Sequence, residues 1–154
     1  MDDHFIASYM ERLENLHKNI GEAIEGLPLE AMDWEPGPEM NSVAVLIAHT
    51  AGSLRYWIGD VALGEPSGRV RESEFQTRGV SSQDMQLRLD AVLAYARTSL
   101  PRLRLEDLEK EAHLTKDGET IPCAWALLHA LEHGYLHLGH IQLTSQLWKE
   151  RSAR

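Results

Sequence analysis

Four stretches of the chain repeat apolar residues at intervals of three and four positions, and segments rich in proline, glycine and charged residues separate them. They run over Phe5–Leu27, Ser42–Gly64, Ser81–Leu100 and Pro122 to about Lys149. This spacing gathers the apolar side chains on one side of a helix. The pattern therefore predicts an all-α fold in which four long helices pack as a four-helix bundle.

Residues suited to helix ends flank these stretches. Asn41 or Ser42 can cap the second helix, and a Ser-x-x-Asp motif that begins at Ser81 is a variant of the capping box at the start of the third. Asp117-Gly118 lies between short β-compatible arms, which predicts a small hairpin before the last helix.

Two connections are long enough to have a structural role of their own. The first, residues 27–40, contains four prolines or glycines around Trp34, an apolar side chain that we expect to fold back onto the bundle. The second, residues 65–79, is polar with arginines and glutamates that offset one another. We expect it to be a long, mobile connection that can act as a lid over a pocket.

Length, composition and charge narrow the class of protein. A chain of 154 residues with 43% hydrophobic content fits one domain, residues 1–154, with a core large enough to fold without a disulfide or a metal. The net charge of −9 argues against nucleic acid or an anionic membrane as a partner. No apolar run approaches the roughly 20 residues that span a bilayer. The acidic N-terminus lacks the basic start of a signal peptide. Cys123 is the one cysteine, so we expect a reducing, cytoplasmic location.

The last predicted helix carries an unusual cluster of histidines. Four of the eight histidines lie in the segment HALEHGYLHLGH, namely His129, His133, His137 and His140. In a helix the last three lie roughly 40°, 80° and 20° from His129, so one face carries four imidazoles. Imidazole is the commonest metal ligand among side chains, and nothing in helix packing calls for four of them on one face. The pattern therefore indicates a site for a divalent metal.

His49 is the natural additional ligand from another helix. It shares a face of the second helix with Leu46 and Ser53, so we expect it to point inward. Together with the i, i+4 pair His133 and His137 it would resemble a catalytic zinc site, which has three nitrogens and an open position. Imidazoles also suit nickel, iron and copper, so residue type does not identify the metal.

The roles of the other polar groups on this helix stay open. His129 and His140 compete for a fourth ligand position, or orient a ligand or contact substrate. Glu132 lies beyond the arc of histidines, where a solvent-exposed role is the simpler interpretation. Buried histidines that only make hydrogen bonds are the alternative to a metal site.

Two known metal motifs fit less well. His129 to His133 matches H-x-x-E-H, the inverted zinc-peptidase motif with Glu132 as base. Those peptidases also need a distal acidic ligand in a much larger domain, and Glu150 is the one acidic residue after His133. Di-iron bundles need repeated E-x-x-H motifs, and this chain has one, which ends at His17.

Three segments in order resemble the DinB/YfiT-like superfamily of metal-binding helical bundles: the loop WEPGP, His49 within SVAVLIAHTAGSLRYW, and EHGYLHLGHIQL near the end. The resemblance spans nearly the whole chain. It implies a metal triad of His49, His133 and His137 that holds zinc, nickel or a similar divalent ion. It also implies a homodimer and a small-molecule substrate, with activities that range from hydrolysis to transfer or isomerisation dependent on a low-molecular-weight thiol.

The first hypothesis for function is accordingly a metal-dependent enzyme, either a hydrolase or a low-molecular-weight-thiol-dependent transferase. In it the metal acidifies water or a thiol, and His129, His140 or Glu132 moves a proton. The second hypothesis is a non-catalytic metal-binding protein of the same fold, with a role in stress response or interaction. The third is a bundle whose histidines are purely structural.

Overall fold

The computed structural model describes residues 4–113 and 118–152 and is dominated by helices. The long helices are α1 (His4–Ile24), α3 (Val43–Arg55), α5 (Ser82–Ser99) and α6 (Cys123–Ser152), and the short ones are α2 (Leu29–Asp33) and α4 (Arg71–Glu74). The predicted all-α four-helix bundle is confirmed. Within the described ranges, no helix is both long and apolar enough to cross a membrane.

The long helices begin where the sequence provides caps. The hydroxyl of Ser42 accepts a hydrogen bond from the backbone N–H of Val45 at 3.3 Å, and that of Ser81 accepts one from Asp84 at 3.1 Å. Each bond satisfies an N–H group that has no partner inside the helix. Both predicted caps are therefore confirmed, with Ser42 rather than Asn41 at the start of α3.

The second predicted helix changes its winding before it ends. It is α-helical to Arg55 and continues as a π-helix over Tyr56–Ala62, and Gly64 then adopts a φ of 67°. A π-helix contains an extra residue per turn and is often found at functional sites. The π-helix therefore places the side chains after Arg55 in different directions from those they would have in a continuous α-helix. A 3₁₀ turn over Leu100–Arg102 likewise follows α5.

The core lies between the four long helices, with α5 and α6 each packed against both α1 and α3. Its largest fully buried apolar side chains come from every long helix, from α2, from the π-helix and from the 3₁₀ turn after α5: Leu16, Ile20, Ile24, Met32, Val43, Ile47, Ile58, Met85, Leu100, Leu127 and Ile141. Burying one such side chain stabilises the fold by about 1.5–3 kcal/mol before entropy is counted. Packing alone thus holds α3 next to α6.

The segment before α6 contains the predicted hairpin. Strands β1 (Glu111–His113) and β2 (Thr120–Pro122) pair antiparallel, with Ala112 opposite Ile121. A second 3₁₀ turn, Leu105–Asp107, precedes them. Asp117 of the predicted turn lies outside the described residues, and Gly118 has a φ of 67°.

Some local predictions were wrong. From the sequence, we expect Leu128, Leu136 and Leu143 to supply apolar contacts of the last helix. They are instead 56%, 57% and 52% exposed, because α6 is apolar on more than one face and its inner face is already filled. Residues 27–40 contain α2 instead of being a loop throughout. Trp34 does fold back, and its ring lies 5.6 Å from that of Trp148 in an edge-on contact.

Candidate metal centre

Three histidines from two helices meet beside the core. His49 on α3 is 8% exposed, and His133 and His137 on α6 are partly buried. One ring nitrogen from each of the three lies within 4.8 Å of the others. The inward orientation predicted for His49 is therefore confirmed, and the structure brings together the three residues predicted as a triad.

The spacing of these nitrogens suits a transition-metal ion. Nε2 of His133 and Nε2 of His137 are 3.2 Å apart. Two imidazole nitrogens that bind the same tetrahedral zinc ion at about 2.0–2.1 Å lie about 3.4 Å apart. The pair on α6 is therefore close to coordination distance already, and the nitrogen of His49 lies within 4.8 Å of both.

A buried carboxylate orients the third ring. Oε2 of Glu74 lies 2.8 Å from Nδ1 of His49, and Glu74 is 7% exposed. The imidazole therefore donates its Nδ1–H to the carboxylate, which leaves the Nε2 lone pair of His49 for an ion. The same carboxylate–histidine pairing orients metal-binding histidines in many proteins and makes the ring more basic.

Arg69 holds this carboxylate in place with two hydrogen bonds. Its Nε donates to Oε1 of Glu74 at 2.6 Å and its Nη2 donates to Oε2 at 2.9 Å. Burial by itself would raise the pKa of Glu74, but the hydrogen bonds from Arg69 and His49 outweigh it and hold the pKa below its ordinary value. A Cβ at Gly52 would overlap Oε1 of Glu74, so the carboxylate reaches His49 only because residue 52 is glycine.

The two histidines on α6 are held in the neutral form. Burial, together with the charges of neighbouring histidines, lowers the pKa of both His133 and His137 to about 4. A metal binds the neutral ring, so protons do not compete for these nitrogens near pH 7. Nδ1 of His133 is buried and has no hydrogen-bond partner within the described part of the chain.

The three residues predicted as proton carriers lie beside this cluster rather than in it. His140 is exposed, with its Nδ1 3.4 Å from Nδ1 of His137. His129 stacks on the indole ring of Trp125, and its ring centroid is 5.8 Å from that of His133. Glu132 is exposed. Of the three, His140 is thus the one within hydrogen-bonding reach of a ring in the cluster.

Residues 1–153 match the family described as "Protein of unknown function (DUF1572)". The chain belongs to the DUF1572 family. A search among curated proteins found no match to it. The resemblance to the DinB/YfiT-like superfamily is confirmed for the fold by solved structures that include YfiT and a DinB-like protein.

Three solved structures are similar to this DUF1572 chain. A conserved protein from Enterococcus faecalis is 18% identical with a TM-score of 0.73, covering 92% of this chain and 95% of that one. YfiT from Bacillus subtilis is 13% identical with a TM-score of 0.76, covering 97% and 90%, and is described as a probable metal-dependent hydrolase with an unusual four-helix bundle topology. The DinB-like protein YjoA from Bacillus subtilis is 19% identical with a TM-score of 0.68, covering 94% and 91%. These likenesses show the fold.

Sequence reasoning missed the two residues that orient His49 in this DUF1572 chain. Arg69 and Glu74 belong to the connection predicted to be mobile, where the structure has the short helix α4. The one signal was an excess of charged residues in a segment that follows the His49 helix. That signal does not distinguish the buried Glu74 from the exposed Glu72 two positions earlier.

Proposed function

We propose that the chain is a metal-dependent enzyme whose divalent ion, zinc or nickel, is held by His49, His133 and His137. The observation that carries this proposal is the convergence of three histidine ring nitrogens within 4.8 Å, with one of the rings oriented by a buried carboxylate. Burying Glu74 and Arg69 costs desolvation free energy. Histidines with a purely structural role would not require a buried charged pair to orient one ring.

Hydrolysis of a small molecule is the reaction that we propose first. When bound, such an ion supplies Lewis-acid chemistry, which polarises a carbonyl group and acidifies water or a thiol. Three protein ligands leave a position for the reactants, as in catalytic zinc sites. The description of YfiT as a probable metal-dependent hydrolase supports this choice.

The chain's own groups supply the rest of the proposed chemistry. Glu74 accepts the Nδ1–H of His49, so Nε2 is the nitrogen of that ring that would hold the ion. His140 is exposed and its Nδ1 lies beside Nδ1 of His137, so it is the group that we propose to pass a proton between the site and solvent. Glu132 and His129 are less suited to that role, because Glu132 is exposed and His129 is stacked on Trp125.

Metal content and turnover test this proposal together. The purified protein, dialysed against metal-free buffer after loading with zinc or nickel, should retain one equivalent, and His49→Ala and His137→Ala should lose it. His17→Ala, which changes a histidine on α1, is the matched control and should retain the metal. Stoichiometric metal in His49→Ala would overturn the triad.

Measurements of turnover distinguish a metal-dependent enzyme from a non-catalytic metal-binding protein. The loaded protein should hydrolyse p-nitrophenyl acetate faster than the His137→Ala variant. A parallel assay with glutathione and 1-chloro-2,4-dinitrobenzene tests thiol transfer. Metal retention without turnover in either assay would favour a non-catalytic metal-binding protein. The homodimer, the cytoplasmic location and the small-molecule or thiol partner stay predictions.

A further inference from the structure

Aromatic rings extend the histidine cluster along α6 toward solvent. Trp125, His129, His133 and His137 are spaced four residues apart, so their side chains follow one face of the helix, about 6 Å from one to the next. The ring centroids of His133 and His129 are 5.8 Å apart, and those of His129 and Trp125 are 4.9 Å apart. The series of rings is therefore continuous from a candidate metal ligand to the surface.

A second tryptophan, Trp57, lies beside this series, and together with Trp125 and His129 it forms a surface that we call the wall. Trp57, from the π-helix, lies 4.5 Å from the ring of His129 at an interplanar angle of 70°, and 5.7 Å from the ring of Trp125. His129 is thus stacked on one indole ring and edge-on to another. The change from α-helix to π-helix directly before Trp57 determines where this side chain lies.

Folding does not explain the position of Trp125. The residue is 47% exposed, and the plane of its indole lies within 8° of that of the His129 ring. An indole half in water contributes little to the core but offers a flat apolar surface at low cost in side-chain entropy. Exposed apolar surface next to a candidate site is typical of ligand recognition.

The charges around the cluster limit what could bind there. Indole faces attract cations, but two arginines lie near the cluster at the start of α4, namely Arg69, whose charge Glu74 offsets, and Arg71. Arg69 is 3.5 Å from Nδ1 of His49, and Arg71 lies over the ring of Phe75, which contacts His49 at 5.1 Å between ring centroids. A ligand that spans the cluster and the wall would therefore be neutral or anionic.

We propose that Trp57, Trp125 and His129 form a subsite for the flat, apolar or aromatic part of a substrate whose neutral or anionic metal-binding group lies at the three histidines. This inference rests on the proposed function, since it names the substrate class of the same site. His129 is then a contact for substrate instead of a metal ligand.

Two hydroxamates that differ in one group test the subsite. Acetohydroxamate and benzohydroxamate both chelate zinc, and only the second carries a ring. With zinc-loaded protein, benzohydroxamate should bind about tenfold more tightly, as expected for one aromatic contact. Trp125→Ala should remove most of this preference while leaving the Kd of acetohydroxamate and the zinc content unchanged. The two probes also differ in their intrinsic affinity for zinc. That difference is the same in every variant, so it cancels when the ratio of the two Kd values is compared between variants.

Two control variants make the comparison specific. Trp125→Phe keeps a flat ring and should keep most of the preference. Leu87→Ala, which removes another exposed apolar side chain on α5, should keep all of it. An equal preference in the wild type and Trp125→Ala would overturn the subsite and leave the metal site intact. Failure of both probes to bind, with no zinc retained, would instead overturn the proposed function.

Discussion

The two ring nitrogens of His49 have different surroundings. Nδ1 is 2.8 Å from a buried carboxylate oxygen of Glu74, and one nitrogen of the ring lies within 4.8 Å of a ring nitrogen of His133 and of His137. A neutral imidazole has one N–H and one lone pair, so its hydrogen bond decides which nitrogen can bind a metal. Glu74 therefore acts on the candidate site through His49.

Replacing Glu74 by glutamine tests this role. Glu74→Gln keeps the shape of the side chain but removes the charge that makes the His49 ring more basic. We expect zinc affinity to fall about 10- to 100-fold, the usual effect of removing such a partner. Competition with a fluorescent zinc chelator measures the change. Glu72→Gln, at an exposed site in the same short helix, should bind zinc like the wild type. Equal affinities in both variants would contradict the role of Glu74.

The stability of the metal-free protein should depend on pH through His133 and His137. Their pKa values are about 4 in the folded state, against an ordinary value of 6.5. Between these values the unfolded chain binds protons that the folded chain does not, so stability falls as pH drops from about 6.5 to about 4. Urea unfolding in the presence of EDTA at pH 7.5, 6 and 5 checks whether the free energy of unfolding falls with pH. His133→Asn/His137→Asn should show a weaker dependence, and the same slope in both proteins would refute the assignment.

Single residues differ in how far the sequence predicts them. The pair on α6 follows from the four-residue spacing of His133 and His137, since local helix geometry brings them together. His49 follows from its place among inward-facing residues of α3. The role of Glu74 cannot be predicted in this way. Its contact with His49 joins residues 25 positions apart, and the segment between them has no periodic pattern.

Among the elements, the π-helix between α3 and α4 is held by a set of contacts from one side chain, Arg55. Nη1 of Arg55 donates to Oδ1 of Asp60 and to the carbonyl of Glu65, each at 3.2 Å. The same guanidinium lies 3.9 Å above the ring centroid of Tyr95. Arg55 thus joins both ends of the π-helix to α5, and it passes directly over Gly59, where a Cβ would overlap it.

Adding a methyl group at Gly59 should therefore disturb this element. In Gly59→Ala the guanidinium of Arg55 must move, and its hydrogen bonds weaken. We expect a loss of about 1–3 kcal/mol in the free energy of unfolding, as for other overpacked sites. Gly139→Ala on α6 is the matched control, because a Cβ there meets nothing within 4 Å. It should gain up to about 1 kcal/mol from helix propensity. Urea unfolding of both variants measures the difference, and similar free energies would contradict the proposed contact.

The elements also show where periodicity stops being informative. It predicted α1, α3, α5 and α6, whose apolar faces extend over three or more turns. It could not predict α2 and α4, which have five and four residues and no repeating pattern. The change to a π-helix was also hidden, because Ile58 and Val61 are buried in a pattern that an α-helix would also produce.

For the whole molecule, the candidate site lies where α3 and α6 pack together, so the core brings the three histidines close before any ion binds. The core contains large buried side chains from each long helix, and the metal-free protein should therefore still fold. This differs from small zinc-dependent domains, in which the metal supplies most of the folding energy. An ion bound across two helices should add stability to an existing fold.

Metal removal should consequently lower the melting temperature without abolishing the cooperative transition. Binding only to the folded state adds about 4 kcal/mol when free zinc exceeds its Kd a thousandfold. For a chain of this length, each kcal/mol is worth about 2–4 °C, so we expect a shift on the order of 10 °C. Scanning calorimetry with EDTA or with zinc measures it. His137→Ala should melt at one temperature in both buffers, whereas His17→Ala should keep the shift. A zinc-induced shift of the same size in His137→Ala would mean that the ion binds elsewhere, since this variant lacks one of the three nitrogens.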